Sequence, residues 1–277
     1  MPNTVPIETV GVNVLLQLSG SRYAAQTDAT LNIPQELREI VTKTNDNFIN
    51  HLSGKQEWSV DQDSYYFDDQ SEAFISNGRI SMRVNIGTDA TPNYVEFARL
   101  TSIDLNLTQN LAEVSSLDRP LWRYLRPAER SWTVDVTGNY YDEAGYGLNE
   151  VFDAKENRER LDVEIDLDGR VLSGTVATGD FDLSASTGGE SAEFNLTFGG
   201  DGVLQSGTSV GSPTDEAFDL YFGQTLVPVT IEIVNEQNWF EGSAYLGDLS
   251  VSVPEGEEPT ISFDLQGSGP IARAVQV

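Results

Sequence analysis

Apolar and polar side chains alternate along most of this chain. Val12, Val14, Leu16 and Leu18 fall at every second position with Asn13 and Gln17 among the residues between, and Met82, Val84 and Ile86 alternate with polar neighbours farther on. Val163, Ile165 and Leu167 alternate too, as do Phe194, Leu196 and Phe198. So do Val229, Ile231 and Ile233, and Ile261, Phe263 and Leu265. A period of two predicts strands with one wet face and one buried face. Trp58 with Val60, and Trp132 with Val134 and Val136, predict two more strands, each followed by a tyrosine pair, Tyr65-Tyr66 and Tyr140-Tyr141. Turns are expected at Gly169, Gly174, Gly188-Gly189 and Gly199-Gly200.

Two segments change period. Leu148, Val151 and Phe152, and later Phe218, Tyr221 and Phe222, stand at helical spacing. Each predicts a short helix laying one apolar stripe on a sheet. Thr214 is placed to cap the second, with Asp215 and Glu216 in its first turn, where the helix dipole favours negative charge.

The pattern also recurs at long range. Shifted by 74 residues, Leu31, Asn32, Gln35, Leu37 and Glu39 fall on Leu105, Asn106, Gln109, Leu111 and Glu113. Trp58, Val60, Asp61, Tyr66 and Asp68 fall on Trp132, Val134, Asp135, Tyr140 and Asp142. In the C-terminal half, Glu164, Ile165, Gly174, Gly179, Asp180 and Ser184 fall on Glu232, Ile233, Gly242, Gly247, Asp248 and Ser252. After a one-residue slip, Gly200 and Gly202 fall on Gly267 and Gly269. The units therefore run A, A, B, B, and a unit used twice points to a larger assembly. Gln205–Pro213 reads as a linker between the B units, and Asp69–Gly78 as a weaker joint between the A units.

A longer polar segment lies within each A unit, about 43–57 and 115–130. The second carries Arg119, Arg123, Arg126 and Arg130, with Trp122 and Tyr124 among them. One reading is a basic, aromatic patch that docks on an acidic neighbour. The other is a solvated loop with local ion pairs. Charge makes the first worth weighing: 44 acidic residues face 16 basic ones, a net −28, and only Lys43, Lys55 and Lys155 are lysines. Such a surface resembles that of an extreme halophile, whose carboxylates hold water and cations where salt screens their repulsion. It argues against wrapping nucleic acid by basic contacts, though not against a conduit through which DNA slides.

Catalytic chemistry is absent from the pattern. The single histidine, His51, stands in a polar stretch, and its repeat partner is Leu125. There is no cysteine, phosphate-cradling glycine loop, nucleophile elbow or zinc-helix motif. Asp166, Asp168 and Gly169 start like a calcium loop but lack the later ligands. No enzyme, metal or cofactor is expected. Nor is a membrane span or secretory signal, so a soluble protein made in a cytoplasm is expected.

Residues 28–58, DATLNIPQELREIVTKTNDNFINHLSGKQEW, resemble the major tail-tube proteins of long-tailed, non-contractile viruses. The resemblance lies in Asp28-Ala29-Thr30-Leu31, Val41-Thr42-Lys43-Thr44, Phe48, Gly54 and Trp58-Ser59. It continues in Phe240 to Gly242, Gly247-Asp248-Leu249, and the closing Phe263, Leu265, Gly267 and Gly269. It implies a mainly β fold of tail-tube sandwich or barrel modules, each with one short flanking helix. A typical member would have one A and one B unit; this chain has two of each. The expected division is one module from 1–79 and 206–277, with a second, 80–205, nested inside it.

The family's modules form rings that stack into a tube. Two modules per chain imply a trimer with pseudo-sixfold symmetry, with a hexamer as the alternative. Expected partners are a tape-measure protein, tail terminator and baseplate proteins, and double-stranded DNA in passage; no membrane is expected. The expected location is the virion tail, after assembly in the host cytoplasm. Expected subunit contacts are Arg119, Trp122, Arg123 and Arg126, with Phe48 added by repeat equivalence. The arm Met1–Thr9 is expected to dock on a neighbour. A tail-completion or baseplate tube-like protein, a secretion-tube protein, and a monomeric carbohydrate-binding sandwich are the rival readings.

Overall fold

The alternating runs form strands whose apolar faces meet in one core. The computed structural model describes residues 14–22, 26–40, 50–65, 80–87, 91–97, 100–114, 121–139, 148–167, 170–184, 192–207, 215–233, 238–254 and 259–275. The expected contact Phe48, the tyrosines Tyr66, Tyr140 and Tyr141, the cap Thr214 and the arm Met1–Thr9 lie outside these residues.

In chain order the first strands are β1 (Val14–Leu18), β2 (Ser21–Arg22), β3 (Gln26–Asn32), β4 (Gln35–Ile40), β5 (Asn50–Gln56) and β6 (Ser59–Tyr65). Next come β7 (Ile80–Asn85), β8 (Tyr94–Glu96), β9 (Leu100–Glu113) and β10 (Leu125–Asn139), then helix α1 (Leu148–Asn157). After it run β11 (Arg160–Leu167), β12 (Arg170–Ser184), β13 (Glu193–Gly200) and β14 (Gln205–Ser206), then α2 (Asp215–Gly223). The chain closes with β15 (Val227–Ile233), β16 (Asn238–Pro254), β17 (Thr260–Gly267) and β18 (Ala272–Val275). The protein is mainly β, with these two helices among the described residues.

Pairing follows one order twice. β1 pairs β15, then β16, β17, β6 and β3 follow in turn. β7 pairs β11, then β12, β13, β10 and β9 follow. Leu31, Val60, Leu265 and Leu246 form one row across the first run. Leu105, Val134, Phe198 and Thr178 form the corresponding row across the second. Both rows end beside a bulge, at Leu246/Leu249 in β16 and Thr178/Phe181 in β12. Such an extra residue kinks a strand and strengthens its twist.

Each run is keyed by a buried tryptophan. Trp58 lies against the backbone of Gly242 and Gly267, and its Nε1 donates to the Gly269 carbonyl at 3.1 Å. Trp132 lies against Gly174 and Gly200, and its Nε1 donates to the Gly202 carbonyl at 3.2 Å. Gly202 and Gly269 both hold positive φ, 90° and 93°, so these turns favour a residue without Cβ.

The helices form where the period changed. Val151 and Ala154 are buried on α1, while Phe152 is exposed. On α2, Phe218 and Tyr221 are buried and Phe222 is half-buried. The first polar segment holds more structure than its composition indicates: β5 occupies its second half, with His51 opposite Glu39 of β4. Ile86 falls beyond the end of β7 and is exposed. No helix among the described residues is long and apolar enough to cross a membrane.

Candidate assembly interface

The two runs join edge to edge through β16 and β9. Asp248 pairs with Thr108, Leu249 with Leu107, Ser250 with Asn106, and Val251 with Leu105, continuing to Pro254 with Ser102. Leu105, Leu107, Leu249 and Val251 are each 1% exposed, so this seam is sealed by aliphatic side chains. Beyond its end, Gln109 Nε2 donates to the Leu246 carbonyl at 2.9 Å, capping the bulge.

A second contact is made by 121–125, the segment entering β10. Gln56 donates its N–H to the Leu121 carbonyl, and the Gln56 carbonyl accepts from the Arg123 N–H, at 2.8 and 3.0 Å. Gly269 N–H donates to the Arg123 carbonyl at 2.8 Å, and Leu125 N–H to Ser268 Oγ at 2.9 Å. Trp122 is half-buried against the core. Arg123 pairs with Glu57 and, at 3.3 Å, with Glu113, which Lys55 also engages. The Glu57 hydrogen bond leads in raising the Arg123 guanidinium's pKa, and the Lys55 hydrogen bond leads in lowering the Glu113 carboxyl's.

Helix α2 makes the third contact. Tyr221 Oη donates toward the Ser131 and Thr108 carbonyls at 3.2 and 3.3 Å, and burial pushes this hydroxyl up to about 12. The Arg170 side chain is 3% exposed, with Nη2 2.6 Å from Asp219, Nε 3.2 Å from Ser206 Oγ, and its guanidinium 4.8 Å over the Phe218 ring. Removing the anion that faces a buried cation is costly. Asp219→Ala is expected to lower unfolding free energy by about 1–3 kcal/mol. Asp180→Ala, on an exposed position, is expected to stay within about 0.5 kcal/mol, and urea titration of both variants checks the pair.

The joined strands present a polar face. In the order β3, β6, β17, β16, β9, β10, β13 and β12 they form a continuous eight-strand run. Asp61, Asp63, Asp264, Asp248, Asp104 and Asp135 stand on its outward side. The paired stretches 28–32, 59–65, 260–266, 248–252, 102–108, 131–137, 193–199 and 180–184 contain neither Lys nor Arg. The Asp264 carboxyl is raised, chiefly by burial, with Asp248 and Asp61 adding repulsion.

Of the expected contact residues, Trp122 and Arg123 bind within the chain, and Arg126 is exposed beside them. Arg119, like Phe48, lies outside the described residues. The internal partners Gln109 and Glu113 were visible only as repeat matches, of Gln35 and Glu39. Among the described residues, no cluster of three or more His, Asp or Glu side chains is arranged to hold a metal ion.

Residues 79–206 match the family model described as phage tail tube protein. The tail-tube match spans just under half of the chain, and the family is structural, not enzymatic. No curated protein matches the chain. Among solved structures, the tail of an empty gene transfer agent particle, refined helically with C6 symmetry, is 15% identical. That likeness has a TM-score of 0.42 and covers 48% of this chain and 98% of the other. The virion of a native gene transfer agent particle gives 16% identity and a TM-score of 0.40, covering 48% and 98%. The sixfold-symmetrised baseplate of an anti-feeding prophage gives 11% and 0.40, covering 50% and 99%.

Proposed function

We propose that this chain is the major tail-tube subunit of a long-tailed, non-contractile virus of a halophile, and that it carries two tail-tube modules. The observation that carries this reading is the pairing order. Residues 79–206 match the tail-tube family, and their order β7, β11, β12, β13, β10, β9 recurs in β1, β15, β16, β17, β6, β3 from the flanking sequence. This supports a nested module, 80–205, inside one built from 1–79 and 206–277.

Three such chains close a ring of pseudo-sixfold symmetry, and rings stack into a tube around a tape-measure protein. The eight-strand acidic face lines the lumen. Its carboxylates repel phosphate, so DNA slides past without counterion-releasing contacts. Arg126, backed by Trp122 and Arg123, makes contacts between subunits, and Arg119 and Phe48 are proposed as contacts on the sequence alone.

Cryo-electron microscopy of the purified protein in molar salt tests this. Hollow tubes with three chains per ring are the expected result. Six chains per ring would overturn the module count, and a monomer at every concentration would overturn the tube.

A further inference from the structure

We infer that neighbouring chains join by β12 of one pairing antiparallel with β3 of the next, reproducing between chains the β16–β9 ladder found within each. The inference rests on the two-module reading and supplies its partner surface: a second copy of this chain, in a stated register.

The eight-strand run ends at β3 on one side and at the far half of β12 on the other. β3 pairs β6 alone. Residues 180–184 of β12 pair with β13 on one side, and among the described residues no strand pairs with them on the other. By the repeat, Asp180 to Ser184 correspond to Asp248 to Ser252, and Thr30 to Pro34 correspond to Asp104 to Thr108. The internal ladder therefore translates into Phe181 opposite Ile33, Asp182 opposite Asn32, Leu183 opposite Leu31, and Ser184 opposite Thr30.

Exposure supports this correspondence. Val251 and Leu107 are each 1% exposed inside the seam, whereas their counterparts Leu183 and Ile33 are 54% and 46% exposed. Phe152 of α1 extends the same uncovered apolar edge, with its ring 6.1 Å from that of Phe181. Polar groups agree as well. Gln109 caps the bulge at Leu246 inside the chain; its counterpart Gln35 is exposed, and the counterpart bulge holds Thr178, whose buried Oγ1 has no hydrogen-bond partner among the described residues. In the proposed register no carboxylate stands directly opposite another, so the acidic edge accepts this partner. An unpaired strand edge otherwise invites indiscriminate association. The contact is head to tail, so it propagates into a closed ring or an open filament.

The native chain has no cysteine, so Asp182→Cys with Asn32→Cys gives a clean probe. Both positions are exposed, and they sit on strands at opposite ends of the run. Mild oxidation of the assembled double variant is expected to yield covalent dimers and trimers. Ser184→Cys with Asn32→Cys, two residues out of register, is expected to cross-link at least tenfold less. Leu183→Lys is expected to leave the circular dichroism spectrum unchanged and to raise the concentration needed for assembly at least tenfold. Tubes without register-specific cross-links would overturn this junction while leaving the tail-tube reading intact. Cross-linked open chains, with no ring in the microscope, would keep the junction and overturn the tube. Monomers that never cross-link would overturn both.

Discussion

Alanine at Gly200 is expected to destabilise the protein severely, while alanine at its neighbour Gly199 leaves it nearly unchanged. A Cβ at Gly200 would stand 2.2 Å from Cε2 of Trp132, whereas one at Gly199 meets nothing within 4 Å. The obstacle is a rigid indole, itself 4% exposed and fixed by its bond to Gly202. Relief therefore requires expelling the ring or parting β12 from β13. Either forfeits most of what a buried tryptophan contributes, about 3–5 kcal/mol. For a chain of this size that is a fall in melting temperature of roughly 10 °C. Gly267→Ala is expected to match it, since its Cβ would lie 2.1 Å from Cε2 of Trp58. Thermal melts followed by near-ultraviolet circular dichroism check all three. Similar melting of the Gly199 and Gly200 variants would mean the indoles are not the keys of the two strand runs.

The second large effect is expected from salt. With a net −28 and a sheet face carrying six neighbouring aspartates, repulsion acts across the fold. The screening length falls from about 30 Å at 0.01 M salt to about 3 Å at 1 M. Melting temperature is expected to climb by roughly 10 °C or more over that range. Sucrose, which excludes itself from surfaces without screening, separates charge screening from general exclusion. The pH dependence carries a sign. The Asp264 carboxyl is raised, so charging it opposes folding, and stability is regained as pH falls through its folded pKa toward about 3.8. Glu113 is lowered, so its contribution is present above about 4.5 and lost as pH falls further. At low salt, Asp264→Asn is expected to raise the melting temperature and remove the Asp264 part of the mild-acid gain. A salt-independent melting curve would show that local hydrogen bonds outweigh the collective field.

Much of the fold was legible because alternation and burial obey the same geometry. Alternation puts Val134, Val136, Leu196 and Phe198 on the inward face of their strands, and all four are buried. Helical spacing puts Phe152 on the apolar stripe of α1, but the small Ala154 takes the sheet-facing place and leaves Phe152 outside. β5 has no signature in the sequence, because Asn50, His51, Ser53 and Lys55 carry no alternation. Backbone pairing with β4 defines that strand, and period gives no sign of it. The arginine cluster was legible as charge but not as contact. Arg123 finds its acids at Glu57 and Glu113, one sixty-six residues and one ten residues away. A linear pattern carries no record of which carboxylate folds back against it.

The β16–β9 seam also bears on how quickly copies gather. A contact made within one chain needs no encounter, because its two surfaces are held at high effective concentration. With every second seam already closed, a ring nucleus of the proposed kind forms from three bodies, so its rate falls far less steeply on dilution than a six-body nucleus would.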